Sequence, residues 1–436
     1  MGWRERLAVP SWLLAGLLIG AGATPAGAEA DFEQAPISYS KAAPQDRLAA
    51  LQKRLDAGQV QLPFDAKFGY LPGVLKMLGI SPSSQMLVFS KTSFQLRYID
   101  PDTPRAVYFG DDAYVGWVQG GDVIELSSVD PELGTVFYTL EQRESPRPKF
   151  IRRTGECLQC HASGMTEQVP GQLVRSVYAD EDGHPILRAG TFSIDHTSPL
   201  AQRWGGWYVT GKFAQEHLGN NIVPDPDNAA LFKSAGGFPL DVLSKLVGDS
   251  KYLTPYSDVV ALLVLEHQGR MHNLITRAGH ATRLALRDQT TLNKMMGDPE
   301  EKMLPSTQRR IANAGEPLVK YMLFAEEAPL LGRVQGTSGY ARHFAAQGPR
   351  DKRGRSLRDL DLESRLFTYP CSYLIYSDAF DSLPGPAAEF VYKRMWEVLN
   401  GQDTSETYSR LTPKDRQAIL EILRATKKGL PEYWKG

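Results

Sequence analysis

The stretch that decides the fold runs from residue 123 to residue 140 and reads VIELSSVDPELGTVFYTL. Two runs rich in β-branched and aromatic residues, Val123–Leu126 and Thr135–Leu140, lie on either side of the turn-forming pair Asp130-Pro131. Runs of this composition separated by a turn signal are typical of antiparallel strands. We therefore expect an antiparallel sheet around this segment.

Similar runs occur on both sides of this stretch. Further strands are predicted at Phe94–Ile99, Ala106–Phe109, Val174–Tyr178, Pro185–Leu187 and Trp207–Thr210. The acidic sequence Asp180–Gly183 separates two of them and is typical of a hairpin turn. The sheet region therefore extends to about residue 215.

Beyond residue 215 the pattern is helical. The longest predicted helix runs from Val259 to about Leu286, with Ser257 or Asp258 as its N-cap. Other helices are predicted at residues 45–58, at Ala387–Leu399, and from Thr412-Pro413 to Gly429. We expect an α+β fold with two domains: a mixed or antiparallel β-rich domain at 29–215, and a mainly helical domain at 216–436 packing on it.

Composition restricts the class of protein. The chain has 436 residues, of which 42% are hydrophobic and 23% are charged, as in ordinary globular proteins. The formal net charge is −1. Nucleic-acid binders, in contrast, usually carry a clear excess of positive charge. We therefore expect no nucleic-acid partner.

The N-terminus has the layout of a secretory signal peptide. Arg4 and Arg6 precede an apolar run from Trp12 to Ala23, and small residues follow up to Ala28. The alternative is a membrane anchor, but the run is short for a bilayer span of roughly 20 residues. We expect a cleaved signal peptide at 1–28, no membrane span in the mature chain, and a periplasmic or secreted protein.

Cysteines are few, and two of the three lie in one motif. Cys157, Cys160 and His161 occur in the sequence CLQCH, residues 157–161. Two thiols at this spacing on a helical turn can each form a thioether to a haem vinyl group, while the adjacent imidazole reaches the iron. The motif therefore predicts one covalently bound haem c with His161 as the proximal ligand.

Three other interpretations of the motif stay open. A structural zinc site needs two further Cys or His ligands, and the sequence has no second Cys-x-x-Cys. A thioredoxin-like redox pair needs a strand-to-helix context, which the flanking residues do not suggest. A plain disulfide is also compatible with an oxidising compartment. None of the three explains the adjacent His161.

The motif resembles the haem-attachment signature of c-type cytochromes. The segments Phe89–Ser93, Arg203–Gly211 and Tyr369–Tyr373 are similar to those of a group of large, secreted, monohaem bacterial proteins. A weaker resemblance is to PAS-like haem c sensor domains, in which the attachment motif interrupts a small mixed sheet. These resemblances imply haem and export, and they make 29–215 the haem c domain.

A haem iron bound by His161 has a sixth coordination position, and several residues are candidates to occupy it. His196, His267 and Met271 are the candidate distal ligands, and Met165 is a further methionine in the same half as the motif. Residues with a guanidinium suited to haem propionates are Arg152, Arg153, Arg175 and Arg203. Cys371 lies in an apolar context and is expected to be a buried thiol.

The leading function is electron transfer by an exported monohaem c-type cytochrome, with a periplasmic redox partner protein. The length of the chain exceeds what a simple carrier needs, so two alternatives stand beside it. One is a haem c enzyme with an open iron site of the peroxidase or oxidase kind, and the other is a haem-based sensor of a small ligand. A basic segment at 348–358 is either a solvated loop or a docking surface for an acidic partner.

Overall fold

Seven strands form one antiparallel sheet in the N-terminal half of the chain. The computed structural model describes residues 30–228, 230, 232, 240, 243 and 251–435. The strands of this sheet are β1 (Met86–Val88), β2 (Arg105–Phe109), β3 (Ala113–Trp117), β4 (Val123–Asp130), β5 (Gly134–Glu141), β6 (Ile151–Arg153) and β9 (Trp207–Tyr208). Their spatial order is β6-β5-β4-β3-β2-β1-β9. A separate antiparallel pair is formed by β7 (Arg175–Val177) and β8 (Thr191–Ser193).

The turn between β4 and β5 explains their register. The carboxylate of Asp130 accepts hydrogen bonds from the backbone N–H groups of Glu132 and Leu133, both at 2.9 Å. Gly134 follows with φ at 82°, and a Cβ there would lie 2.8 Å from the carbonyl oxygen of Pro170. Only glycine fits this left-handed, crowded position. Gly134 therefore ends the turn and is the first residue of β5.

Helices dominate the C-terminal half. The helices of the described residues are α1 (Arg47–Asp56), α2 (Leu71–Leu78), α3 (Leu158–His161), α4 (Val259–Met296), α5 (Pro305–Met322), α6 (Tyr340–Ala345), α7 (Asp378–Asp381), α8 (Gly385–Leu399) and α9 (Pro413–Thr426). The longest, α4, begins after the N-cap Asp258, whose carboxylate accepts from the backbone N–H of Val260. It ends at Gly297, which has φ at 74°.

Both faces of the sheet are buried, as the period-two alternation of β2 shows. Val107 and Phe109 belong to one apolar core, which they share with α4, whereas Ala106 and Tyr108 belong to a second core, which includes side chains of α1 and α2. Successive side chains of a strand point to opposite faces. The sheet is therefore covered by α1 and α2 on one face and by α4 on the other.

The α+β class predicted from the sequence is confirmed, but several boundaries differ. Residues Phe94–Ile99 are not a strand, because Leu96–Tyr98 form a short 3₁₀ helix. The helix predicted to end near Leu286 continues to Met296, since the glycine that terminates it is Gly297. Strand β3 was not predicted at all. Its sequence, AYVGW, carries a glycine that weakens the strand pattern.

The described chain from Asp31 onwards forms one compact unit. The larger core combines residues such as Val107 and Tyr114 of the sheet with residues such as Leu318 of α5 and Val391 of α8. One core thus crosses the domain boundary expected at 215/216. The signal peptide expected at 1–28 lies outside the described residues. Among the helices that the structure describes, none combines the length and the apolarity required to cross a bilayer.

The N-cap of α4 gives a test of the fold. Asp258 is fully buried, and its carboxylate also accepts from the backbone N–H groups of Thr337 and Ser338, at 2.8 and 2.7 Å. We expect Asp258→Ala to lower the free energy of unfolding by about 2 kcal/mol, because a cap and buried hydrogen bonds are lost together. Urea denaturation measures this change. Asp298→Ala removes an exposed pair with Lys302 and should cost less than about 1 kcal/mol; equal losses would contradict the prediction.

Candidate functional site

A cavity of about 340 Å³ lies beside the Cys157–His161 segment. Cys157, Cys160 and His161 line it, and we call it the motif cavity. Strands β2 to β5 supply much of its wall, and α4 contributes Leu265 and Gly269. Its volume is within the range of small-molecule and cofactor sites, roughly 300–1,000 Å³. The motif that the sequence singled out therefore opens onto a space large enough to hold a ligand.

The motif itself is a single helical turn. The backbone N–H of His161 donates to the carbonyl of Cys157 at 3.0 Å, and that of Cys160 donates to the same carbonyl at 3.3 Å. Both cysteines are free thiols, Cys157 partly buried and Cys160 exposed. Burial raises the pKa of Cys157 to about 11. The turn thus presents two free thiols and one imidazole to the same cavity.

His161 is held by one nitrogen only. Its Nδ1 lies 2.9 Å from the carbonyl oxygen of Gly171, and because a carbonyl only accepts, Nδ1 carries the hydrogen. Burial lowers the pKa of His161, which favours the neutral ring. Nε2 makes no hydrogen bond to any residue that the structure describes. A metal-ligating histidine has this arrangement, since its second N–H usually donates to a carbonyl or carboxylate.

The long helix fixes the carbonyl that holds His161. The side chain of Asn273 in α4 accepts from the backbone N–H of Gln172 at 2.8 Å and donates to its carbonyl at 2.8 Å. Gly171 precedes Gln172, so this double clamp positions its carbonyl as well. The ring of Phe137 in β5 also packs beside His161, with the two ring centroids 4.8 Å apart. Neither Gly171 nor Asn273 is predicted from the sequence as part of the site, because their role depends on the contact between α4 and residue 172.

Two large apolar side chains at the motif cavity are exposed. Phe94 is 64% exposed and Met165 is 46% exposed, and both line the cavity. Large apolar side chains left in contact with water beside a cavity often mark a binding surface. A flat apolar ligand in the cavity would cover them.

Charged groups also line the cavity. Two of the four predicted arginines, Arg153 and Arg175, are among them, together with Arg105, Glu125 and Glu156. The other two have different roles. Arg152 donates to backbone carbonyls of the N-terminal segment, and Arg203 forms a buried ion pair with Glu266. Guanidinium groups at the cavity can pair with carboxylates of a ligand.

The three predicted distal ligands do not line the motif cavity, which corrects that expectation. His196 and His267 contact each other instead, with their Nδ1 atoms 2.8 Å apart, and Nε2 of His267 lies 2.9 Å from the hydroxyl of Ser372. The His196 ring stacks on Tyr321 at 3.9 Å. Met271 is fully buried in the core. His267 and Met271 lie on the apolar face of α4, and His196 packs against that face. All three side chains therefore lie in the core.

Two further features predicted from the sequence are the thiol of Cys371 and the basic segment at 348–358. Cys371 is buried, as expected. The basic segment at 348–358 is largely neutralised within the chain, where its arginines form the ion pairs Arg350–Asp359, Arg353–Glu421, Arg355–Glu421 and Arg358–Asp111. These pairs favour a structural role over docking of an acidic partner.

In the part of the chain that the structure describes, no group of three or more His, Cys, Asp or Glu side chains is placed to hold a metal ion.

Comparison of the chain with protein-family models, with curated proteins and with solved structures gave no match in any of the three.

The position of Gly171 can be tested by adding one methyl group. In Gly171→Ala the new Cβ would lie 2.3 Å from Oδ1 of Asn273, so the clamp on residue 172 must move. We expect a loss of about 1–3 kcal/mol in the free energy of unfolding, measured by urea denaturation. Gly155→Ala is the matched control, because a Cβ there meets nothing within 4 Å. A neutral Gly171→Ala would show that this carbonyl is not held as described.

Proposed function

We propose that this chain is an exported monohaem c-type cytochrome. Cys157 and Cys160 would form the thioether bonds to one haem c in the motif cavity, and His161 would be the axial ligand. The observation that carries the proposal is the hydrogen bond from Nδ1 of His161 to Gly171, which leaves Nε2 without a partner on a ring that lines the cavity. A disulfide or a thiol redox pair would not require an oriented imidazole.

Other residues of the cavity fit such a group. The exposed apolar side chains of Phe94 and Met165 would pack against a porphyrin and lose their contact with water. Arg153 and Arg175 would pair with the two propionates, while Arg105 already forms an ion pair with Glu125 of the same lining. The apolar wall and the charged side chains thus match the two kinds of surface that a haem presents.

A bound haem c supplies a one-electron iron couple, whose potential depends on the axial ligands and on the burial of the site. The residues of this chain orient the axial ligand and form the site. Gly171 keeps the His161 ring in one orientation, and the side chains of β2 to β5 form much of the cavity wall. Cys160 is exposed, so the attachment edge would lie near the surface. That placement favours electron transfer to a periplasmic redox partner protein.

A second candidate follows from the lining of the cavity. Among the described residues that line it, His161 is the one histidine and Met165 the one methionine. If Met165 does not reach the iron, the sixth position is open to a small molecule. The chain would then be a haem c enzyme of the peroxidase or oxidase kind, or a haem-based sensor of a small ligand.

Covalent attachment is the first prediction to test. Expressed with a cytochrome c maturation system, the full chain should carry one haem that survives denaturation, measured by the pyridine haemochrome spectrum. Cys157→Ala with Cys160→Ala should remove it. Cys371→Ala is the matched control, because that thiol is buried away from the motif cavity and should leave the haem content unchanged. A wild-type chain without covalent haem refutes the proposal.

Carbon monoxide separates the carrier from the open-site alternatives. For a carrier with Met165 as the sixth ligand, we expect the spectrum of the reduced protein to be unchanged by carbon monoxide. Met165→Leu should make the iron reactive, whereas Met271→Leu, deep in the core, should not. A wild-type protein that binds carbon monoxide would rule out the simple carrier and favour the enzyme or the sensor.

A further inference from the structure

A buried hydrogen bond connects the motif cavity to a second cavity. The second cavity has a volume of about 270 Å³, and His272 and Tyr373 are among the residues that line it. Tyr114 in β3 lines the motif cavity, and its hydroxyl lies 3.0 Å from Nδ1 of His272 in α4. One hydrogen bond therefore joins a residue of one cavity to a residue of the other.

The direction of this hydrogen bond follows from the neighbouring amide. Nε2 of Gln268 lies 2.8 Å from the carbonyl oxygen of Gly110 and 2.8 Å from the hydroxyl of Tyr114. A carbonyl only accepts, so the amide nitrogen must face both groups and donate to both. Tyr373 donates to the amide oxygen on the other side. The oxygen of Tyr114 thus accepts from Gln268, and its one hydrogen is directed to His272.

The tautomer of His272 is then determined. Nδ1 accepts from Tyr114, so a neutral ring carries its hydrogen on Nε2. Burial lowers the pKa of His272 to about 4, so the ring is neutral at physiological pH. His272 is 1% exposed, and Nε2 has no hydrogen-bond partner among the described residues. A buried N–H without an acceptor is costly, and water in the adjacent cavity would satisfy it.

We propose that Tyr114 and His272 form a proton relay between the motif cavity and the second cavity. A protonated water in the motif cavity gives up a proton to the oxygen of Tyr114 while the original phenolic proton passes to Nδ1 of His272, so the phenol stays neutral. The proton on Nε2 then leaves to an acceptor in the second cavity. One proton is transferred, no electron passes through the two residues, and the reverse sequence restores the starting tautomer.

The relay rests on the proposed function, because a redox group in the motif cavity would change the charge there. Positive charge added beside the apolar wall of the cavity is unfavourable, and release of a proton offsets it. The charged groups that line the second cavity are Asp46, Asp111, Asp112, Asp378, Arg47 and Arg358. Acids outnumber bases in this set, which favours the arrival of a proton. The tyrosines beside His272 or in the lining of the second cavity are Tyr114, Tyr373 and Tyr376.

The relay is tested by the rate of proton release. The reduced holoprotein is oxidised with ferricyanide in a stopped-flow instrument, and a pH-indicator dye follows the protons released. We expect Tyr114→Phe and His272→Gln each to slow release at least about tenfold, without changing its final extent. His280→Gln is the matched control. That histidine lies in the same helix, is also buried with its pKa lowered to about 4, and lines neither cavity.

Two results overturn the relay: no proton release from the wild type, or equal rates in wild type, Tyr114→Phe and the control. If His272→Gln does not fold, Tyr114→Phe alone decides. If the chain carries no haem, the proposed function fails separately, and ¹⁵N NMR of His272 in the same chain then tests the relay. A hydrogen on Nε2 would support it, and a hydrogen on Nδ1 would overturn it.

Discussion

The packing of α4 against the sheet is the contact on which the rest of the structure depends. This helix is 38 residues long, and its side chains share one apolar core with the face of the sheet that carries Val107 and Phe109. It also buries polar side chains, among them Gln268, His272 and Asn273. Buried polar groups must find partners, so each of these residues forms specific hydrogen bonds to the sheet or to a loop. The polar groups thus determine how the helix and sheet are aligned.

The motif cavity is a consequence of that alignment. The strands and α4 enclose it, and the short α3 turn brings the thiols and the imidazole to its edge. The helix acts on His161 indirectly, since Asn273 holds Gln172 and the neighbouring Gly171 holds the ring. The same helix carries Gln268 and His272, which engage the hydroxyl of Tyr114. One element therefore orients the imidazole and one of the polar side chains that line the cavity.

Sequence patterns predicted the elements best where the local signal was strong. Strands β4 and β5 followed from two β-branched and aromatic runs around Asp130, and the cap of α4, predicted at Ser257 or Asp258, is Asp258. Local patterns failed at Phe94–Ile99, where apolar residues suggested a strand but two of them, Phe94 and Leu96, are exposed. Phe94 lines the motif cavity instead. Its apolar character reflects a site on the surface, which periodicity alone does not distinguish from a strand.

The sequence by itself determined the motif, because Cys157, Cys160 and His161 are neighbours in the chain and their spacing is a local property. It also determined the α+β class through periodicity. Only the tertiary structure decided which distant side chains surround the motif. His196 and His267 were plausible partners by residue type, yet they lie in the core and contact each other. Tyr114, Gly171 and Asn273 carried no local signal of their role, since contacts between residues far apart in sequence depend on how helix and sheet pack.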